Sequence, residues 1–126
     1  MKSKKILTIL AALSVFAITP VSAQNDGISI KLGERLYNRT CIWCHGEEGK
    51  GDGDVTRFEN NTIKPKALVK TILSEEQVYL FAKHGGQYWG AANNDMPDWG
   101  DQFSDSELKS IAHYIVQKFR HMPPSK

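Results

Sequence analysis

Apolar residues recur with a helical period near the end of the chain. From Leu108 to Phe119 they are spaced three and four apart, which places them along one stripe of an amphipathic helix. A capping-box pattern of Ser and Glu begins at Ser104 and predicts the start of this helix. Pro123 and Pro124 are expected to stop it.

Three further helices are predicted upstream. Ser29 can cap a helix that covers Ile30–Asn38 and runs on into Cys41. A second capping box at Ser74 opens a helix that Gly85 and Gly86 end. A short helix is expected over Ala67–Ile72.

Two long segments between these helices have loop composition. Residues 46–66 are rich in Gly and Asn, and residues 87–103 are rich in Trp, Asn, Asp and Gly. No segment sustains the two-residue alternation of a half-buried strand. The chain is therefore predicted to be all-α, with about three to five helices and long loops.

The first 23 residues have the three-part layout of a secretory signal peptide. Lys2, Lys4 and Lys5 precede an apolar run over residues 6–18, and small residues lead up to Ala23. The run is shorter than the ~20 apolar residues that a membrane-spanning helix needs. We expect cleavage after Ala23, export to the periplasm, and no membrane span afterwards.

Removal of that signal changes the charge of the protein. The full chain of 126 residues carries 16 basic and 14 acidic residues, and cleavage leaves 13 basic against the same 14 acidic ones. A net charge of −1 gives no indication of a nucleic-acid partner. The remaining residues, 24–126, form a single small domain that a bulky cofactor would help to stabilise.

The motif that carries chemistry is Cys41-Ile42-Trp43-Cys44-His45. Two thiols three positions apart, followed at once by histidine, are typical of a c-type haem attachment site. The thiols can each add to a haem vinyl group, and the adjacent imidazole becomes the proximal iron ligand. A thioredoxin-like redox pair would belong near a βαβ pattern, and structural zinc would need a fourth ligand. A plain disulfide would leave His45 without a role.

The ordered set of motifs resembles a class I cytochrome c over nearly all of the domain. The set comprises the helix with Gly33 and Tyr37, CIWCH, the loop GEEGKGDGD, Lys-Pro-Lys, the helix ending in Gly85-Gly86, Asp95-Met96-Pro97, and the final amphipathic helix. In the four-helix-bundle type of cytochrome c the attachment motif lies near the C-terminus, whereas 81 residues follow His45 here. The resemblance implies a cytochrome c-like fold around one covalently attached haem c, with the first and last helices crossing closely at Gly33.

Met96 is the residue that the resemblance indicates as the sixth ligand of the iron. It lies in a loop 51 residues after His45 and directly before Pro97, and a thioether ligand favours the reduced state. Met122 lies near a fraying helix end. His84, with His113 and His121, remains a competitor because imidazole is also an able iron ligand.

Supporting residues follow from the same resemblance. A proline carbonyl after the motif accepts the other N–H of the proximal histidine in this family, and that role falls on Pro65. Tyr88, Trp89 and Trp99 flank Met96 and are expected to wall the haem from water or to hydrogen-bond a propionate. Ordinary core packing explains these aromatic residues equally well.

The functional prediction is an electron-transfer protein, not an enzyme. A soluble one-electron carrier with His45 and Met96 as axial ligands would dock redox donors and acceptors at its exposed haem edge, as a monomer or in transient complexes. Two alternatives stay open: a haem-based sensor or small haem enzyme with an open sixth site, and a redox subunit of a larger complex. A run of acidic residues suggests a basic partner surface, or simply a solvated face: Asp95, Asp98, Asp101, Asp105 and Glu107.

Overall fold

A computed structural model describes residues 27–90 and 95–122. The predicted signal peptide and the helix-stopping prolines lie outside these residues. Within them every regular element is helical, which confirms the all-α prediction, and there are four α-helices, of which the first two are continuous and the others are separated by long loops.

The first helical segment runs without a break from Ile30 to His45. Helix α1 covers Ile30–Leu36, a π-helical turn covers Tyr37–Cys41, and helix α2 covers Ile42–His45. Ser29 caps α1, as predicted, by accepting a hydrogen bond from the Leu32 N–H at 3.4 Å. The π turn ends at Cys41, the first residue of the CIWCH motif. It was not predicted, because one added residue in a helical turn leaves no composition signal.

Helix α1 crosses the last helix, α4, at Gly33. Helix α4 covers Asp105–Phe119. A β-carbon on Gly33 would overlap the Ser110 carbonyl and lie 2.8 Å from the Tyr114 β-carbon. The Ser29 N–H also donates to the Ser110 hydroxyl at 3.0 Å. The close crossing is therefore confirmed, because only glycine lets the two backbones approach this far.

Helix α3 covers Glu75–His84 and has both predicted end signals. Ser74 and Gln77 form a reciprocal capping box at its start. Gly85 ends it with φ of 69°, a conformation that favours glycine. A 3₁₀ turn, Gly86–Trp89, follows directly, and another 3₁₀ turn covers Asp54–Arg57 in the first long loop.

The prediction of a short helix over Ala67–Ile72 is wrong. These residues form a turn in which the Thr71 N–H donates to the Leu68 carbonyl at 3.0 Å. The Leu68 N–H donates to the Gly49 carbonyl and the Lys70 N–H to the Phe119 carbonyl, at 2.6 and 2.9 Å. Tertiary hydrogen bonds thus use the backbone groups that a helix would have paired locally.

The core lies where α4 packs against both α1 and α3. Tyr37, Tyr114 and Phe119 form an aromatic cluster with ring centroids 5.3–6.0 Å apart. The buried apolar side chains come mostly from α3 and α4: Tyr37, Val78, Tyr79, Ala82, Leu108, Ile111, Ala112, Tyr114, Ile115, Val116 and Phe119.

Candidate haem-binding site

The attachment turn contains both cysteines and the histidine of the CIWCH motif. Cys41 ends the π turn, and Cys44 and His45 lie in the last turn of α2. All three side chains are half-buried, and Cys41 packs against the core. Neither cysteine forms a disulfide. Two thiols are therefore presented from one helical turn beside an imidazole.

Burial sets the protonation of these groups. It raises the pKa of the Cys41 thiol to about 12, with a smaller contribution from nearby Cys44, whose own pKa burial also raises. Burial lowers the pKa of His45, against the smaller opposing effect of a hydrogen bond to a backbone carbonyl. The thiols are protonated and the imidazole is neutral at physiological pH, which leaves the imidazole a lone pair for a metal.

The His45 ring is oriented by the chain that follows the first loop. Its Nδ1 lies 3.0 Å from the Lys66 carbonyl oxygen. A carbonyl can only accept, so Nδ1 carries the proton and Nε2 presents the lone pair. The prediction that the Pro65 carbonyl accepts this bond is wrong by one residue. That carbonyl instead faces Gly51, where a β-carbon would lie 2.6 Å from its oxygen.

The loop after the motif folds back onto the attachment turn. The Gly51 N–H donates to the His45 carbonyl at 2.9 Å, and the Gly53 N–H donates to the Cys44 carbonyl at 3.1 Å. A β-carbon on Gly53 would overlap the Trp43 carbonyl. These bonds hold the last carbonyls of α2, which lack helical partners.

Tyr37 also holds this loop in place, through a hydrogen bond from the side of the loop that faces the core. Its hydroxyl is fully buried and donates to the Gly46 carbonyl at 2.6 Å. Gly46 also accepts from the Gly49 N–H, and the Gly49 carbonyl accepts from Leu68. The chain of bonds thus extends from Tyr37 to the segment that offers its carbonyl to His45. The sequence marked Tyr37 only as a helix-crossing residue, since spacing cannot show where a hydroxyl points.

The Met96 segment is fastened to the end of α3 through the backbone. The Gly86 N–H donates to the Met96 carbonyl at 3.0 Å. Trp99 and Gly100 donate to the carbonyls of Ala82 and Lys83 at 3.0 and 3.1 Å. The Met96 side chain is half-buried and packs against the core. The backbone thus holds a candidate sulfur ligand in a part of the sequence distant from the attachment turn.

Two of the three flanking aromatic residues, Trp99 and Tyr88, differ in their surroundings. Trp99 is half-buried, packs against the core and pairs with Phe103 at a centroid distance of 5.9 Å. Tyr88 is 57% exposed and stacks on His84 at 4.5 Å. Trp89 ends the 3₁₀ turn Gly86–Trp89.

The competing histidines are also placed. His84 and His121 are exposed, and His113 is half-buried on α4. The His113 ring nitrogen Nδ1 lies 2.9 Å from a Glu75 carboxylate oxygen and so links α4 to the start of α3.

The donor set fits a haem c. Two thiols one turn apart suit two thioether bonds, a neutral imidazole with its Nδ1 engaged suits a proximal ligand, and a half-buried thioether suits a sixth ligand. In the part of the chain described, no three or more His, Cys, Asp or Glu side chains gather as a metal cluster. Over the same residues, no helix combines the length and apolar character needed to cross a bilayer.

The fold and this donor set define a small c-type cytochrome of class I. Residues 29–115 match the model of the family described as cytochrome c oxidase, cbb3-type, subunit III, and the chain belongs to that family. The predicted class is confirmed. Membership implies haem c as the cofactor, electron transfer as the class of function and redox proteins as partners.

The chain is also similar to a curated relative in sequence and to a solved structure in fold. The chain is 25% identical over 89 residues to cytochrome c6 of Bumilleriopsis filiformis, a match that covers 71% of this chain and 91% of the relative. A chain of the reducing HAO-like protein complex of Kuenenia stuttgartiensis shares the fold with a TM-score of 0.53 and 20% identity. That match covers 80% of this chain and 48% of the other, so the present chain spans about half of the solved one.

Proposed function

We propose that the protein is an exported one-electron carrier that holds a single haem c. Cys41 and Cys44 bind the haem covalently, and His45 and Met96 ligate its iron. The observation that carries the proposal is the Nδ1 contact of His45 with the Lys66 carbonyl at 3.0 Å. This contact fixes the tautomer and directs Nε2 to the metal side, as a permanent proximal ligand requires.

The haem would supply the change between ferric and ferrous iron. The residues of the chain limit the structural rearrangement that accompanies this change. His45 is held by the Lys66 carbonyl, and the loop bonds of Gly51 and Gly53 hold the attachment turn. The three backbone bonds of the Met96 segment fix the sixth ligand from the end of α3. Two permanent axial ligands mean that no bond forms or breaks when the electron arrives.

The carrier is proposed to act in the periplasm after cleavage at Ala23, as a monomer that forms transient complexes. Apolar packing of Trp99 beside the Met96 segment would limit water near the iron and raise the potential, together with the thioether ligand. The partners are one-electron donors and acceptors. No nucleic-acid role is proposed, since the mature chain carries a net charge near zero.

The decisive experiment is the visible spectrum of the ferric, haem-loaded protein. We expect a low-spin spectrum with the weak long-wavelength sulfur-to-iron charge-transfer band. Met96→Ala should abolish that band. Met122→Ala is the matched control, because Met122 is also half-buried against the core but lies after α4.

The spectrum separates the alternatives cleanly. A high-spin spectrum of the unmodified protein would refute the carrier and favour the sensor or haem-enzyme function. Loss of the band in Met122→Ala rather than Met96→Ala would assign the sulfur to the other methionine. A low-spin spectrum without the band would indicate a histidine as sixth ligand.

A second candidate is a redox subunit of a larger oxidoreductase, favoured by the family description that the chain matches. Electron transfer is common to both candidates, and only the permanence of the partner differs. Haem-stained native electrophoresis of detergent-solubilised whole cells of the source organism distinguishes them. A subunit migrates with a large complex at all salt concentrations, whereas a free carrier migrates as a small protein.

A further inference from the structure

Trp43 is the exposed centre of an otherwise packed attachment turn. It lies between Cys41 and Cys44, and 57% of its surface remains exposed. Its neighbour Ile42 packs against the core, so α2 keeps an apolar face inside and still presents an indole to solvent. A tryptophan side chain is rarely this exposed, because it is large and mostly apolar. Tryptophan is also enriched at the centres of protein interfaces.

Carboxylates surround this indole. Trp43 lines one surface depression together with Glu47, Glu48, Asp52 and Asp54. Lys50 pairs with Glu48, and Arg57 pairs with Asp54 at 3.1 Å. Among the described residues, Glu47 and Asp52 form no ion pair at contact distance, and they interact with Lys118 and Lys50 only at longer range. The lining residues, four carboxylates and Arg57, carry a net charge of −3, which the neighbouring Lys50 and Lys118 reduce without reversing its sign. We call this surface, formed by Trp43 and the four carboxylates, the Trp43 face.

The Trp43 face is fixed relative to the attachment turn. The Gly51 and Gly53 N–H groups donate to the carbonyls of His45 and Cys44, so the carboxylate-bearing loop is held back against α2. Gly46 and Gly51 adopt φ of 80° and 78°, which lets the loop reverse directly after the histidine. A preformed acidic surface with an aromatic centre loses little entropy on binding.

We propose that the Trp43 face docks a one-electron redox protein whose contact surface carries Lys or Arg side chains. One cationic side chain of the partner lies over the indole of Trp43, and other cationic side chains of the partner pair with the carboxylates around that indole. This inference rests on the proposed carrier function and names its docking face. One electron passes from the reduced centre of the partner to the ferric iron, and no chemical bond forms or breaks.

The acidic run after Met96 is less suited to this role. Asp105 is bonded to Lys83 at 2.8 Å, and Glu107 accepts from Ser104 at 2.9 Å to cap α4. Asp98 and Asp101 are exposed. These two aspartates therefore provide a matched control of equal charge at another acidic site.

The first test maps binding on the ferrous, haem-loaded protein labelled with ¹⁵N. Titration with oligolysine is expected to shift the indole N–H of Trp43 and the amides of residues 47–54 at low salt, and added salt should reverse the shifts. Shifts confined to residues 95–107, or spread evenly over the surface, would overturn the proposal. The map needs no variant, so it stands whether or not a substituted protein accumulates.

The second test measures electron delivery by stopped flow. Hexaammineruthenium(II) gives one electron to the ferric protein and becomes ruthenium(III). Glu47→Gln combined with Asp52→Asn should slow this reaction about two- to fivefold at low ionic strength, while Asp98→Asn combined with Asp101→Asn changes it little. Equal slowing by the two pairs, or slowing by the control pair alone, would contradict the Trp43 face.

The visible spectrum keeps this inference separate from the carrier function. Each variant should retain the sulfur-to-iron band of the unmodified protein. If that band is missing from the unmodified protein, the proposed ligation fails, whatever oligolysine binds. If the band is present and the shifts map elsewhere, only the docking face fails.

Discussion

A single buried hydroxyl links the core to the haem attachment turn. Tyr37 packs between Tyr114 and Phe119 and donates its hydrogen bond to the Gly46 carbonyl, directly after the proximal histidine. Burial holds the pKa of Tyr37 far above its usual range, so the donor keeps its proton at every pH of interest. The residue thus has two functions, packing and orientation, of which only the first requires an aromatic ring.

Substitution of that hydroxyl tests the second function. Tyr37→Phe should lower the free energy of unfolding of the haem-loaded protein by about 1–3 kcal/mol, because the Gly46 carbonyl is left buried with one bond fewer. Thermal or denaturant unfolding followed by circular dichroism measures the change.

Tyr114→Phe is the matched control in the same aromatic cluster. Its hydroxyl is buried but makes no hydrogen bond of good geometry to the described residues, although Lys118 Nζ lies 5.4 Å from the ring centroid. Its removal should alter stability by no more than about 0.5 kcal/mol. Equal losses from the two variants would mean that the Gly46 contact contributes nothing specific.

His45, the proposed proximal ligand, shows how much of a single residue's role can be predicted from the sequence. His45 and its need for a carbonyl partner follow from the motif, since the chemistry of a ligating imidazole demands that partner. The choice of Lys66 over Pro65 does not follow from it. That choice depends on how Gly49 anchors Leu68 and Val69, a contact between segments that spacing cannot reveal.

At the scale of elements, the start of each capped helix is determined by side chains close to it in the sequence. Ser29, Ser74 and Ser104 each cap a helix as their sequence patterns predict, because the groups involved lie within three residues of one another. The turn over Ala67–Ile72 has no such local determinant. Its backbone bonds go to Gly49 and Phe119, so a local pattern favoured a helix that the fold overrides.

The two capping boxes differ in whether the side chain that closes them can ionise, and this difference gives a prediction about pH. Gln77 closes the box of α3, whereas Glu107 closes that of α4. Hydrogen bonds from the Ser104 N–H and hydroxyl hold the pKa of Glu107 below its usual 4.5. A lowered pKa in the folded state means that the stabilisation is present above pH 4.5 and is lost as the pH falls through the folded pKa.

Glu107→Gln should therefore cost about 0.3–1 kcal/mol at neutral pH and flatten the loss of stability in acid. Gln77→Glu is the reciprocal variant and should steepen that loss. Asp105, whose pKa is lowered by Lys83, titrates in both variants and does not affect the comparison. Denaturant unfolding at a series of pH values measures both slopes, and parallel slopes in all three proteins would refute the assignment.

At the scale of the whole molecule, α4 is the central helix of the packing. It packs against α1 on one side and α3 on the other, and its central residues are buried from Leu108 to Val116, apart from the partly buried Lys109 and His113. The Met96 segment, by contrast, is attached through three backbone bonds at the end of α3. The two proposed axial ligands of the iron thus lie in parts of the structure that differ in how deeply they are packed.

Amide hydrogen exchange should resolve this difference. The amides of Ile111–Val116 are expected to exchange only through global unfolding, and those of Trp99 and Gly100 through local opening. Exchange of the haem-loaded ferrous protein in increasing denaturant distinguishes the routes, since global opening accelerates steeply and local opening does not. A single common dependence for both sets of amides would show that the Met96 segment opens only with the core.

The backbone attachment of the Met96 segment bears on how such proteins diverge. Every residue except proline has a main-chain N–H and a carbonyl group, so most positions in the segment can change without loosening it. The exceptions are places where a β-carbon would collide, as Gly85 would with Met96 and Gly100 with Lys83. Descendants of one ancestor can therefore lose nearly all recognisable identity here while the ligand-bearing loop stays in place. The glycines, more than the residues around Met96, should be the lasting record of common descent.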